Sequence, residues 1–199
     1  MDDDRPQLAD RRDLDRVYQP AEDSRLLADT ALEYVDERAL VLDVGTGSGY
    51  VACRLVEEGG AEVVASDLNP HACRQAREAD LSVVRADLLG PFRGGTFDGI
   101  VFNPPYLPTD HDREWGDWME RALSGGETGR RVVEPFLADL RRVLAPDGEA
   151  FLLVSSLTGV DAVRDHARAN GLTTAEAASE SHSFERLVVL HLRPSDPAR

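Results

Sequence analysis

The sequence contains no lysine: all 22 basic residues are arginine, set against 37 acidic ones for a net charge of −15. Such a surface lacks the basic stripe that neutralises phosphates, which disfavours a nucleic-acid groove. A solvated carboxylate surface does keep a protein soluble in concentrated salt. At ~1 M salt the screening length shrinks to about 3 Å, so the exclusion of nucleic acid weakens in a salt-rich cell. Cysteine is almost absent, limited to Cys53 and Cys73, both in helical patterns and without C-x-x-C spacing. Free buried thiols in a reducing cytoplasm follow, not a disulfide frame. No signal peptide is read at the start, and apolar runs such as Ala150-Phe151-Leu152-Leu153-Val154 are far too short to span a bilayer. His71, His166, His182 and His191 share no ligand spacing, and Asp110-His111-Asp112 reads as a solvated triplet, so no metal site is expected.

What is present suffices for one domain with a sizeable core: 199 residues, 42% of them hydrophobic. Residues 1–16 are charged and poor in large apolar side chains, which predicts a flexible N-terminal tail. Residues 17–199 form the single expected domain. Helices are predicted from Ala21, over Tyr50–Glu58, Pro70–Ala79, about 132–144 and Val160–Asn170, with Pro135 in the first turn of the fourth or kinking it. Strands are predicted over Leu40–Val44, Glu62–Ser66, Ser82–Ala86, Phe97–Phe102, Glu149–Ser155, Thr173–Ala178 and Glu185–Leu192. This alternation implies an α/β fold: a seven-stranded, mostly parallel sheet with the last strand antiparallel and helices on both faces.

The fourth strand runs into Asn103-Pro104-Pro105-Tyr106. Proline fixes φ, lacks an N–H and forces its predecessor into extended backbone, so this turn presents acceptors at the strand's C-terminal end. In open α/β sheets that end is where ligands bind. The first strand runs into Gly45-Thr46-Gly47-Ser48-Gly49. A dinucleotide site needs glycine or alanine where Tyr50 stands, and Asp43 adds a carboxylate just before the turn. Both departures favour a cofactor with an ammonium and a ribose over one with a pyrophosphate. Asp67 and Asp87, at the ends of the second and third strands, are suited to ribose hydroxyls and an adenine amino group.

On these residues the chain resembles the class I S-adenosylmethionine-dependent methyltransferases with a Rossmann-like fold, and Asn-Pro-Pro-Tyr resembles the signature of those that methylate a planar nitrogen. Val17 to Ser24 with Leu26-Leu27, Asp87-Leu88-Leu89, and Ser124-Gly125-Gly126-Glu127-Thr128-Gly129-Arg130 are similar to the HemK-like glutamine methyltransferases of eukaryotic and archaeal release factors. The resemblance spans residues 17 to about 192. Gln19 replaces the family's usual glutamate, and Pro135 lies in a helix that is normally uninterrupted.

The resemblance implies that Tyr18 and Ser24 close over S-adenosylmethionine, while Asp43, Gly45 and Gly47 border its methionine part. Asp67 then holds the ribose, and Asp87 with Leu88 the adenine. Asn103 bridges cofactor and substrate, its side-chain oxygen and the Pro104 carbonyl accept the two N–H bonds of a substrate amide, and Pro105 and Tyr106 complete the substrate side. The implied reaction is N5-methylation of the glutamine in the Gly-Gly-Gln motif of the archaeal peptide chain release factor. The acidic, lysine-free composition separately resembles that of proteins from a halophilic archaeon, and the free thiols point to its cytoplasm. The implied partner is a small zinc-binding methyltransferase activator, docked on Ser82–Ala86 as a heterodimer. Val83-Val84 there would otherwise be an apolar open edge, unless a loop of the same chain covers it. Trp115 and Trp118 read as a core-packed helical face or as a lip over the substrate entrance, and the Gly-Gly-x-x-Gly-Arg run as a flexible loop or a substrate-facing one. Three other functions use the same residues: adenine N6-methylation, lysine methylation and non-catalytic cofactor binding. An intact Asn103-Pro104-Pro105-Tyr106 counts against the last.

Overall fold

The computed structural model describes residues 17–109 and 118–195. The described residues form a seven-stranded sheet in the order β3-β2-β1-β4-β5-β7-β6. In chain order the elements are α1 (Glu22–Leu32), β1 (Leu40–Val44), α2 (Tyr50–Glu57), β2 (Glu62–Asp67), α3 (Pro70–Glu78), β3 (Ser82–Arg85) and β4 (Phe97–Phe102). Then follow α4 (Trp118–Leu123), α5 (Val133–Val143), β5 (Leu144–Ser155), a 3-10 turn (Ser156–Thr158), α6 (Val160–Ala169), β6 (Leu172–Ser181) and β7 (Arg186–Pro194). β7 lies antiparallel between β5 and β6, and the remaining pairs are parallel.

Side chains alternate across a strand, so a sheet buried on both faces divides each strand between two cores. On β5, Ala150, Leu152 and Val154 pack with Phe136, Leu137, Leu140 and Val143 of α5 and Val163 of α6. Phe151 and Leu153 point the other way, toward Leu27 of α1 and Val51 and Leu55 of α2. A helix layer therefore covers each face. Burial of such side chains contributes on the order of 2 kcal/mol each, which dominates the stability of both layers.

Beyond shifts of one to three residues at the ends of β6 and β7, three local features differ from expectation. β5 starts at Leu144, five positions before the Glu149 start that Pro146 and Gly148 suggested. Leu144 pairs with Phe97, and the pairing resumes only at Glu149 opposite Gly99, so residues 145–148 bulge out of the ladder. A bulge accommodates the proline because its residues leave the ladder. β3 ends at Arg85, one residue short of the expected Ala86, whose N–H still donates to the Asp67 carbonyl at 3.0 Å. Cys73 is buried but Cys53 only half-buried, so the expectation of two buried thiols holds for one. Pro135 occupies the first turn of α5, where its missing N–H costs nothing, and the helix runs on to Val143.

Candidate active site

β1 and β4 are neighbours, with Val44 opposite Phe102. From β1 the chain runs to β2 and β3 on one side, then returns to β4 on the other. A crevice opens at such a reversal, outside the strands' carboxyl ends. Gly45 and Asn103, the residues that follow the two strands, both line it. Gly45 and Gly47 have φ of +62° and +55°, which side chains rarely adopt, and a Cβ on Gly45 would come within 3.3 Å of the Phe102 ring. The glycines let the turn lie flat against β4 and keep the floor of the cleft open.

Tyr18, Ser24, Asp43, Gly47, Asp67, Asp87, Leu88 and Pro105 also line the cleft, so the structure gathers the residues expected around a cofactor. Asp43 is 3% exposed and accepts from Thr46 Oγ1 at 2.7 Å. Burial pushes its carboxyl up to about 7, against an ordinary 3.8. Burial also raises Asp67, whose Oδ2 accepts from the Gly47 N–H at 3.0 Å and whose Oδ1 accepts from the Asn69 N–H at 2.8 Å. Each oxygen keeps a lone pair for a further donor. Asp87 stands at the exposed rim, and Leu88 adopts the left-handed φ of +48°. Such strain clusters at ligand sites.

A smaller cleft adjoins this one, and the two share Tyr18, Asn103, Pro105 and Ala122. Pro104, Tyr106 and Asp23 line the second. Asn103 thus stands between the two clefts. Its Nδ2 donates to Ser24 Oγ at 3.3 Å, while its Oδ1 is buried without a partner among the described residues. An unsatisfied buried acceptor costs about 1–3 kcal/mol, so this oxygen calls for a donor. Tyr18 donates to Asp23 Oδ2 at 2.9 Å. Burial first, and then the charge of Asp23, hold the phenols of Tyr18 and Tyr106 well above their ordinary range, so both stay protonated.

Sequence reasoning missed two parts of this arrangement and left a third, Trp118, open between two readings. Asp23 is 4% exposed at the start of α1, although a carboxylate in a helix's first turn ordinarily reads as solvated. Its spacing of four from buried Leu27 was the available signal, since both fall on one helical face. Trp118 lines the main cleft with its ring 5.4 Å from the Arg121 guanidinium, and no side chain of α4 is buried. That corrects the core-packed reading for Trp118; Trp115 and the Asp110-His111-Asp112 triplet lie outside the described residues. Finally, Gly125, Gly126 and Gly129 are buried behind the Tyr106 turn, with Gly125 N–H donating to the Leu107 carbonyl at 2.9 Å. The run braces the turn, with Arg130 donating to the Thr158 carbonyl at 2.6 Å and Thr158 Oγ1 to the Tyr106 carbonyl at 3.4 Å. Gln19 is exposed, and its amide donates to the Val17 carbonyl at 3.2 Å.

A methyltransferase domain model matches residues 41–126. A Methanocaldococcus jannaschii protein named for protein N5-glutamine methyltransferase activity is 34% identical over 181 residues, 88% of this chain and 90% of its own length. The chain belongs to the HemK-like protein N5-glutamine methyltransferase family. Human methyltransferase HEMK2 is 30% identical, with 90% of each chain covered. The solved E. cuniculi Mtq2-Trm112 complex, described as responsible for methylating the eRF1 translation termination factor, aligns with a TM-score of 0.74 at 29% identity. That alignment covers 90% of this chain and 99% of the other. The protein is accordingly an S-adenosylmethionine-dependent N-methyltransferase with the Rossmann-like class I fold. The cleft suits that cofactor: carboxylates on successive strand ends offer acceptors to an ammonium, two ribose hydroxyls and an amino group.

Proposed function

We propose that this enzyme methylates N5 of the glutamine in the Gly-Gly-Gln motif of the archaeal peptide chain release factor. The observation that carries the reading is the unpartnered, buried Oδ1 of Asn103 between the two clefts. An amide nitrogen is a poor nucleophile because its lone pair is delocalised into the carbonyl. Donation of its two N–H bonds to Asn103 Oδ1 and the Pro104 carbonyl turns the lone pair toward the main cleft. S-adenosylmethionine supplies an electrophilic methyl group there. Positioning and electrostatic support for the positive charge growing on nitrogen together contribute on the order of 10 kcal/mol. Tyr106, kept neutral by its surroundings, packs against the amide plane. Tyr18 and Ser24 close over the methionine part next to Asp43, Gly45 and Gly47, with Asp67 at the ribose and Asp87 and Leu88 at the adenine. Pro105 stiffens the turn.

The proposed partner is a small zinc-binding activator that adds to the edge of β3, forming a heterodimer. Among the described residues β3 pairs with β2 alone, and Val84 is 38% exposed on it. The Mtq2-Trm112 complex supports this assignment. The setting we propose is the cytoplasm of a salt-loving archaeon, with residues 17–199 acting as one domain behind a short tail. No helix among the described residues is long and apolar enough to cross a membrane.

Methyl transfer from labelled S-adenosylmethionine at high salt tests the reading, with archaeal release factor as acceptor and the activator present or absent. Label should enter the intact factor, spare a factor whose motif glutamine is alanine, and fall at least ~100-fold with Asn103→Ala. Cofactor binding without label in the intact factor would remove the substrate assignment and turn attention to lysine and adenine nitrogens.

A further inference from the structure

The side-chain amide of Asn103 is useful only in one of its two orientations. With Oδ1 toward the cleft it accepts from a substrate N–H; flipped, it presents an N–H to another N–H and repels it. The fold around α1 contains a chain of bonds that distinguishes the two. Asn103 Nδ2 donates to Ser24 Oγ at 3.3 Å, and Ser24 Oγ donates to Asp23 Oδ1 at 3.2 Å. The same Asp23 oxygen accepts the Ser24 backbone N–H at 2.6 Å, and the other accepts Tyr18 OH at 2.9 Å. Asp23 and Ser24 are 4% and 7% exposed.

A hydroxyl has one proton to give, and an ionised carboxylate can only accept. With the Ser24 proton drawn to Asp23, what remains toward Asn103 is a lone pair, and a lone pair accepts from Nδ2. In the flipped amide Oδ1 would face that same lone pair. Asp23 would then have to release the Ser24 proton, leaving a buried carboxylate short of a donor. We propose that Asp23 is a positioning residue: through Ser24 it holds the Asn103 amide with Oδ1 toward the substrate. The unpartnered state of that oxygen is what the relay produces. Tyr18 joins the relay on the far side of Asp23, which couples the segment beside the cofactor cleft to the acceptor beside the substrate cleft. This inference deepens the function proposed above and rests on it for the role of Oδ1, though not for the relay itself.

The test uses the full chain with its activator and release factor, and the variants Asp23→Asn, Ser24→Ala, Ser24→Thr and the double variant Asp23→Asn with Ser24→Ala. Asp23→Asn and Ser24→Ala should each lower kcat roughly 10- to 100-fold, as a misaligned reacting group does. KM for the release factor should move less than kcat. Ser24→Thr, which keeps the hydroxyl, should recover most of the rate. The double variant should lose no more than the worse single one, because members of one relay are not additive. Unchanged kcat in Asp23→Asn, or losses that multiply in the double variant, would overturn the proposal. A readout independent of turnover is water exchange of the Asn103 Nδ2 protons by NMR, the resonance being assigned by its disappearance in Asn103→Ala. Exchange should quicken in Asp23→Asn and Ser24→Ala, and equal exchange in all folded variants sinks the relay. Absence of methyl transfer by the wild-type enzyme would instead defeat the substrate reading, leaving the exchange measurement to decide the relay.

Discussion

Gly129 lies directly behind Tyr106: a Cβ built on Gly129 would fall 2.5 Å from the Tyr106 carbonyl oxygen. Backbone cannot yield as a flexible side chain can, and Gly129 has φ of +70° as well. Gly129→Ala is therefore predicted to cost more than ~2 kcal/mol of stability and to displace the Asn103-Pro104-Pro105-Tyr106 turn. Gly95 is the control, with φ of +64° but nothing within 4 Å of a built Cβ. Gly95→Ala should cost only the conformational ~1 kcal/mol and leave methyl transfer near wild type. Denaturant unfolding and turnover measured on both variants check the pair.

Asp43 predicts a pH dependence of known sign. Its carboxyl titrates at about 7 in the folded chain against an ordinary 3.8, because burial penalises the charge. The folded state then holds an extra proton between about pH 4 and pH 7, so the group's contribution to stability falls as pH rises through that window and is constant above it. The range amounts to about 4 kcal/mol. Asp43→Asn should raise the melting temperature at pH 8, with the gain fading toward pH 4. Melting curves of the cofactor-free protein across this range measure it.

With Asp43 at the methionine part of the cofactor, as proposed above, the same carboxylate should make cofactor affinity depend on pH in the opposite direction. An ammonium prefers ionised Asp43, so affinity should rise by up to tenfold per pH unit until about pH 7 and then level off. Calorimetry should register proton release on binding below that point. Asp43→Asn should abolish both the slope and most of the affinity.

Trp118 belongs to a helix without a buried side chain, yet it lines the main cleft. Trp118→Ala should weaken cofactor binding by roughly tenfold, as loss of an aromatic contact of about 1.5 kcal/mol would, while leaving thermal stability almost unchanged. A drop in stability comparable to a core deletion would return Trp118 to a packing role.

Val84 is 38% exposed on β3, the edge strand of the sheet among the described residues. Val84→Arg should leave the isolated enzyme within ~0.5 kcal/mol of wild type, as surface changes do, and block addition of an activator strand. Gel filtration of enzyme and activator at high salt separates the outcomes, and an undiminished complex would move the partner to another surface.

Local chemistry carried most of the architecture. Leu40–Val44 and Phe97–Phe102 are largely apolar runs that end at Gly45 and at Asn103-Pro104, and a run so bounded has few alternatives to a buried strand. The cleft was legible for a related reason: Gly45, Gly47, Asp67 and Asn103 are tied to strand ends by position in the chain, and parallel strands bring their ends to one side. The bulge at 145–148 was not legible, because Pro146 and Gly148 break local structure whether or not a neighbour such as Phe97 resumes the ladder. Nor were the buried glycines of residues 125–129, whose permissive backbone reads equally as freedom or as close packing.

The succession of strands and helices along the chain, the turn at Asn103 and the carboxylates beside the glycines thus follow from residue type and spacing, since φ restriction, hydrophobic periodicity and charge act over a few residues. Only the tertiary structure decided which polar atoms go without partners and which carboxylate controls them. Asp23 and Asn103 are 80 positions apart in the chain and meet through Ser24, because α1 packs over the sheet where β4 ends. A hydrogen bond depends on ångström distances between atoms, and residues so far apart acquire those distances only when both faces of the sheet are packed.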